Sequence, residues 1–220
     1  MEGYFNLLSA SPLFSGIEKE DLSSMLHCLD AKVMDIAKGD PVFLEGDAAG
    51  FVGIVLEGSI QIVQEDYFGN RSVIHHSQPG DIFAEAFSFT DLDTMPVSGY
   101  AVKNSRCMML ACGRMMNVCS NACGFHNRLV KNLLRLVSRK NLMLNEKIRY
   151  MSKKTTREKL LSYLADQAKA ADSPEFTIPY DRQALADYLG VERSAMAAEI
   201  SKLRKDGVLE ATGSRFRLLH

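Results

Sequence analysis

The spacing of apolar residues changes character along this chain, and each change marks a different element. Between residues 4 and 29 the pattern predicts short helices. Ile17, Leu22, Met25, Leu26 and Leu29 approximate a helical repeat, with Ser15 placed to cap its start. From Lys32 the period shortens. The segments VMDIA, PVFLEG, FVGIVLEG, SIQIVQED, RSVIHHS and DIFAEAF are brief and rich in Val, Ile and Phe. Turn residues separate them, at Gly39-Asp40, Gly46-Asp47, Gly58-Ser59, Gly69-Asn70 and Pro79-Gly80-Asp81. Many short strands at near-even spacing predict an antiparallel sandwich or roll, with a hairpin tip at Phe68-Gly69-Asn70-Arg71.

From about Arg114 to about Met151 the pattern is helical. Val130, Leu134, Val137, Asn141, Leu144, Ile148 and Met151 recur at alternating steps of four and three, the seam of a coiled coil. Asn141 falls at an a position, where a single polar residue fixes the register of a parallel pair. A second stripe, Leu129, Leu133, Leu136 and Met143, suits packing on the chain's own sheet, although Lys140 and Lys147 interrupt it. Pairing with a second copy is the preferred reading, and the two faces are compatible. Residues 152–159, SKKTTREK, read as a hinge, followed by a helix in KLLSYLADQAKA and a loop in DSPEF. The divisions expected are 1–113, 114–151 and 152–220.

The last segment reads as a helix-turn-helix. DRQALADYL at 181–189 is a short helix with Asp181 as its cap. Gly190 supplies the bend, and a second helix runs from about Arg193 to Lys205 and stops at Gly207. Met196, Ile200 and Leu203 form its inward stripe. Its outer face offers Arg193, Ser194, Ala197, Ala198, Ser201, Lys202 and Lys205. VLEATGSRFRLL follows as a hairpin wing carrying Arg215 and Arg217, so the arrangement suits double-stranded DNA.

Composition adds limits. The formal charge is −1, so no global basic signal exists. Residues 151–220 hold 12 Lys and Arg against 10 Asp and Glu, and the first 150 hold 14 against 17. The excess at the C-terminal end permits nucleic-acid binding without requiring it. The start, MEGYFNLLSASPLF, lacks the pattern of a signal peptide, and the apolar runs are too short to span a bilayer, so a cytoplasmic protein is expected. The five cysteines, Cys28, Cys107, Cys112, Cys119 and Cys123, are then expected as thiols.

These elements in this order resemble the cyclic-AMP receptor / fumarate-nitrate regulator (CRP/FNR) family of bacterial transcription regulators, over essentially the whole chain. The specific motifs are KGD at 38–40, EGD at 45–47, VLEGSIQI at 55–62, QPGDIFAE at 78–85 and ALADYLGVERSAM at 184–196. The resemblance implies an α+β fold: an N-terminal antiparallel β-roll of the cyclic-nucleotide-binding kind, a long dimerisation helix and a C-terminal winged helix-turn-helix. It also implies a homodimer whose small-molecule effector reorients the DNA-binding heads, with DNA and RNA polymerase as partners. The family's nucleotide pocket has Gly-Glu and then an Arg-Ser pair whose Arg grips the cyclic phosphate. Here those positions are Ala84-Glu85 and Val97-Ser98. Valine offers no charge-assisted donor, so cyclic AMP is not expected as effector. Phe83, Phe87, Phe89 and Val97 suit a more apolar compound, or a roll collapsed on its own phenylalanines. Leu144 and Asn145 match the family positions that reach the ligand from the long helix. In the recognition helix, Ala198 stands where many members have an Arg, and Ser194 where many have a Glu. Readout is therefore expected to use Arg193, Ser194, Ser201, methyl contacts and DNA shape.

Other chemistry is weaker. CSNACGFH puts Cys119, Cys123 and His126 on one helical face, with Cys112 as a fourth candidate. Three ligands along one face span about 10 Å, too far for one ion unless the helix unwinds, which Gly124 permits; buried structural thiols are the preferred reading, a redox switch and a metal site stay as alternatives, and no metal site is assigned. His27, His75, His76 and His126 leave a haem sensor open. An enzyme is not expected: no nucleophile–base set or phosphate loop is visible, and His75 and His76 would point to opposite faces of a strand. The alternative function is a cyclic-nucleotide-like ligand-binding module, or a redox or haem sensor, without strong sequence-specific DNA binding.

Overall fold

The structure is a computed structural model that describes residues 2–116 and 124–219. The chain divides into two compact units, Met1–Ser138 and Arg139–His220.

In the first unit, α1 (Phe5–Ala10) and α2 (Lys19–Cys28) precede two antiparallel sheets. Ser15 does not cap α2. Gly16 turns the chain with φ 72°, and the N-cap position falls at Glu18, which makes no side-chain cap bond. One sheet has the order β1-β8-β3-β6, formed by β1 (Lys32–Ile36), β8 (Ser105–Ala111), β3 (Phe51–Glu57) and β6 (Ile82–Phe83). The other has the order β2-β7-β4-β5, formed by β2 (Pro41–Phe43), β7 (Ser98–Ala101), β4 (Ile60–Glu65) and β5 (Arg71–Ser77). The predicted hairpin tip is present: Asp66 Oδ1 accepts from the amides of Phe68 and Asn70 at 2.8 and 2.9 Å. The DIFAEAF segment is strand only at β6, because Ala84 takes a left-handed φ of 67° and starts the one-turn α3 (Glu85–Ser88).

The central β3 shows how side-chain alternation builds two cores. Val52, Ile54 and Leu56 face the helices, where Leu8, Leu22, Leu26, Met108 and Leu110 complete the first cluster. Val55 faces the interior between the sheets, with Phe43, Ile60, Phe83, Val97 and Cys107. Both faces being covered explains the unbroken apolar run of this strand. α4 (Cys112–Met116) begins two residues before the expected Arg114.

α5 (Gly124–Met151) is shared between the units. Leu129 and Leu133 sit in the first cluster, and buried Asn132 donates to the carbonyls of Leu13 and Ser15 at 3.1 and 2.8 Å. The second unit continues with α6 (Thr156–Ala170), β9 (Glu175–Thr177), α7 (Arg182–Leu189), α8 (Arg193–Lys205), β10 (Leu209–Thr212) and β11 (Arg215–Leu218). The expected hinge of 152–159 is shorter than its polarity suggested. Thr155 and Glu158 form a capping box, so α6 already runs from Thr156 and the second half of the polar run is its first turn. The expected loop DSPEF contributes β9, which pairs with β11 because Phe176 is buried against Phe216, ring centroids 6.3 Å apart. No helix of the described residues is long and apolar enough to cross a membrane.

Candidate nucleic-acid interface and effector site

The α7–α8 pair is built by local chemistry. Asp181 accepts from the Ala184 amide at 2.8 Å and starts α7. Gly190 closes it in the left-handed region at φ 60°, and the Val191 amide returns to the Ala186 carbonyl at 3.0 Å. Ala186 is fully buried, as a small residue between the two helices should be. Met196, Ile200 and Leu203 hold α8 on the core.

The opposite face of α8 is open. Arg193, Ser194, Ala197, Ala198, Ser201, Lys202 and Lys205 are all exposed. Glu192 caps α8 without a side-chain bond, so the first amides of the helix have no capping acceptor from it. Ser201 donates its hydroxyl proton to the Ala197 carbonyl at 3.0 Å, which leaves its oxygen chiefly as an acceptor.

Charge around the helix is arranged by residues that local reading missed. Arg157 on α6 donates to Glu199 and to Asp206, each at 3.2 Å, so one guanidinium engages two of the acidic residues of this helix and its cap. Arg215 and Arg217, expected to meet phosphates, are each paired already: Arg215 with Glu175, and Arg217 with Glu210 at 3.8 Å. The wing's outer face is thus a cross-strand alternation of charge with little net sign. The positive surface is carried by Arg193, Lys202, Arg204 and Lys205.

In the first unit the residues expected to form an effector pocket are mostly core. Phe83, Ala84 and Val97 are 1%, 5% and 2% exposed, and Glu85 is buried beside them. The Phe43 and Phe83 rings stack at 6.3 Å, and Phe51 meets Phe43 edge-on at 5.4 Å. Phe87 is half-buried against the same cluster. Ser98 accepts from the Glu45 amide at 2.9 Å, tying the loop after β2 to the start of β7. Leu144 and Asn145 are exposed on α5 in the second unit, where Asn145 donates to Asn141 at 2.8 Å.

The two stripes of α5 separate cleanly. Leu129 and Leu133 are buried, Leu136 is half-buried, and Met143 of that stripe is 60% exposed. On the other stripe Leu134, Leu144 and Ile148 are 60–63% exposed, with Val137, Asn141 and Met151 also exposed and Val130 half-buried. Of the cysteines, Cys119 and Cys123 lie outside the described residues. Cys107 and Cys112 are buried free thiols, pushed up by burial to about 12 and about 11. No three metal-capable side chains converge among the described residues.

Residues 33–122 match the family described as the cyclic nucleotide-binding domain, and residues 158–220 match the Crp-like helix-turn-helix domain. The chain belongs to the CRP/FNR family of transcription regulators. It is therefore a DNA-binding regulator with a ligand-sensing domain. It is 22% identical over 189 residues to the transcriptional activator protein anr of Pseudomonas aeruginosa, across 84% of this chain and 75% of that protein. To the transcriptional activator protein FnrL of Cereibacter sphaeroides it is 26% identical over 190 residues, across 80% and 72%. Among solved structures, DNR from Pseudomonas aeruginosa gives a TM-score of 0.54 at 20% identity, covering 100% of this chain and 95% of that one. CprK complexed with OCPA gives 0.65 at 12% identity, covering 91% and 90%. These likenesses show the α+β fold of the family.

Within the CRP/FNR frame, the backbone at Ala84 keeps a glycine-like conformation although the residue has a Cβ. Val97 is sealed in the apolar interior beside it.

Proposed function

We propose that this chain acts as a homodimer on an inverted-repeat operator, that it responds to an effector other than cyclic AMP, and that RNA polymerase is its partner at the promoter. The carrying observation is the α8 face: seven exposed residues, Arg193, Ser194, Ala197, Ala198, Ser201, Lys202 and Lys205, over an inward stripe that is buried. Such a helix fits the major groove with its N-terminal end toward base edges. Lys202 and Lys205 serve phosphates, and Arg215 and Arg217 join them once they release Glu175 and Glu210.

Dimerisation is supported by the exposed heptad face from Leu134 to Met151, with half-buried Val130 at its start, and by Asn141 within it. Two such heads read half-sites about one helical turn apart. The effector reading rests on the roll. A cyclic phosphate needs a charge-assisted donor, and Val97, buried among Phe43, Phe83 and Met95, provides none. Phe87 and Ser98 at the edge of this cluster suit an uncharged or apolar compound.

Selection from random-sequence DNA, with sedimentation of the complex and calorimetry against cyclic AMP, tests this. Enrichment of an inverted repeat bound by two chains, with no cyclic-AMP heat, is expected. A single half-site bound by one chain, or micromolar cyclic-AMP binding, overturns the corresponding part.

A further inference from the structure

The recognition helix α8 carries Glu199 within it and Asp206 at its C-cap. Seven residues separate the two acids, close to two full turns, so they share one flank of the helix. Lys202 stands between them, three residues after Glu199 and four before Asp206. Those are the spacings at which side chains meet on a helix surface. No other basic residue of α8 has such a spacing to either acid. Local chemistry therefore gives both carboxylates one cation to capture, and that cation is Lys202. For Glu199 the order, acid before base along the chain, is also the more favourable one.

The fold pairs them differently. Nη1 of Arg157 donates to Glu199 Oε1 and to Asp206 Oδ2, each at 3.2 Å. Arg157 lies in the first turn of α6, whose start is fixed by the capping box of Thr155 and Glu158. Two residues on, Lys159 donates to the carbonyl of Gly190, at the bend before α8, at 3.3 Å. The Glu199 side chain is only 16% exposed, so its pair with Arg157 is partly shielded from salt. Asp206 sits at the end of α8 where the helix dipole disfavours an acid, and a guanidinium beside it offsets that cost. Lys202, by contrast, is exposed, and no carboxylate holds it among the described residues. Arg215 and Arg217 of the wing show the other outcome, each paired directly with a neighbouring carboxylate.

We propose that Arg157 is a positioning residue for DNA binding: it draws Glu199 and Asp206 away from Lys202 and so keeps that ammonium free for a phosphate. The proposal rests on the docking of α8 that sets Lys202 against the DNA backbone. Arg157 acts here without touching DNA. With its charge removed, Lys202 faces two unpaired carboxylates within helical reach, and this flank of α8 meets the phosphates with a net negative charge.

The test titrates the full chain with a duplex of arbitrary sequence at several salt concentrations. Lys202→Ala is the reference and should flatten the salt dependence by about one unit of slope per protomer. Arg157→Met keeps an apolar stem and removes the charge, and should flatten it by about the same amount. Lys202→Ala added to Arg157→Met should then change the slope little, because a captured lysine has nothing further to lose. Glu199→Gln with Asp206→Asn, added to Arg157→Met, should restore both the slope and its sensitivity to Lys202→Ala. Arg157→Lys, a point charge in place of a planar fork, should fall between. It replaces Arg157→Met if circular dichroism finds that chain unfolded. Slope losses of Arg157→Met and Lys202→Ala that add in full and survive neutralisation of the acids would mean that Arg157 itself meets phosphate, and overturn the proposal. Weaker binding with an unchanged slope, unrelieved by neutralisation, gives Arg157 a packing role alone and overturns it too. A slope unchanged by Lys202→Ala by itself overturns the docking of Lys202 and the proposal with it, a failure distinct from the other two.

Discussion

The ring of Phe83 occupies the space where a side chain on Gly53 would sit: a Cβ there would overlap the ring atoms. The same relation holds between Phe43 and Gly99. Two glycines on facing sheets thus make room for two phenylalanines that fill the roll from within. Gly53→Ala forces Phe83 out of this position and is expected to destabilise the fold by about 2 kcal/mol or more, the scale of core overpacking. Phe83→Leu in the same chain should recover part of that loss. Urea unfolding of the two single variants and the double measures it. Strictly additive effects would mean that the ring does not lie on Gly53.

The seam on α5 is separable from its packing. Leu134→Glu with Leu144→Glu changes residues that are 63% and 60% exposed, so the isolated chain should keep its fold. Sedimentation is expected to show dimers for the wild type and monomers for the variant. An unchanged dimer would place the interface elsewhere.

What the sequence disclosed and what it hid follow from the range of the interactions. Asp181, Gly190 and the Met196–Ile200–Leu203 stripe act within a few residues of themselves, so the helix-turn-helix was legible. β8 was not, although it lies between β1 and β3 in its sheet. Its SRCMMLA segment is methionine-rich and has little β-branching, and its partners on β3 are about 50 residues away. Arg157 likewise finds Glu199 and Asp206 more than 40 residues on. Cys28 and His126 carried no mutual signal, because only the fold makes them neighbours, with Sγ 3.8 Å from Nε2. The candidate effector residues were located through family motifs, yet their burial depends on Phe43, Gly53 and Gly99, whose close packing appears only once the strands pair.

The buried thiols have a pH consequence. Burial raises Cys107 to about 12 and Cys112 to about 11. Unfolded thiols titrate near 8.5. A raised folded value means that the stability contribution is intact below that pH and is lost as pH rises toward 11–12. At pH 8 roughly a thousandth or less of either thiol is ionised, by the tenfold-per-unit rule. Alkylation followed by peptide mass spectrometry should therefore leave both unmodified in folded protein and modify both in urea. Rapid native labelling at pH 8 would contradict the burial.

Lys202 is exposed on α8, and among the described residues no carboxylate holds it, unlike Arg215 and Arg217. Lys202→Ala should weaken binding to every DNA sequence alike and flatten the salt dependence by about one unit of slope per protomer. Arg217→Ala should change the slope less, because breaking its pair with Glu210 offsets the phosphate contact. Titrations of DNA at several salt concentrations compare the two. Equal slopes would show that the wing pair opens at no cost.

Ala198 decides the docking of the recognition helix. It is exposed one turn beyond Ser194, with Ala197 beside it, and carries only a methyl group toward solvent. A methyl can touch the thymine methyl but cannot hydrogen-bond a base edge. An arginine at this position would reach guanine O6 and N7 together, a contact that discriminates by about 1–3 kcal/mol. Ala198→Arg should therefore leave the spacing of the inverted repeat unchanged and create a guanine preference at one position of each half-site. A lysine or arginine that met only phosphate would raise affinity for all sequences without a new preference. Random-site selection on the wild type and the variant separates these outcomes. Should both proteins enrich the same operator, Ala198 faces the backbone, and α8 enters the groove turned about its axis so that a different side meets the bases.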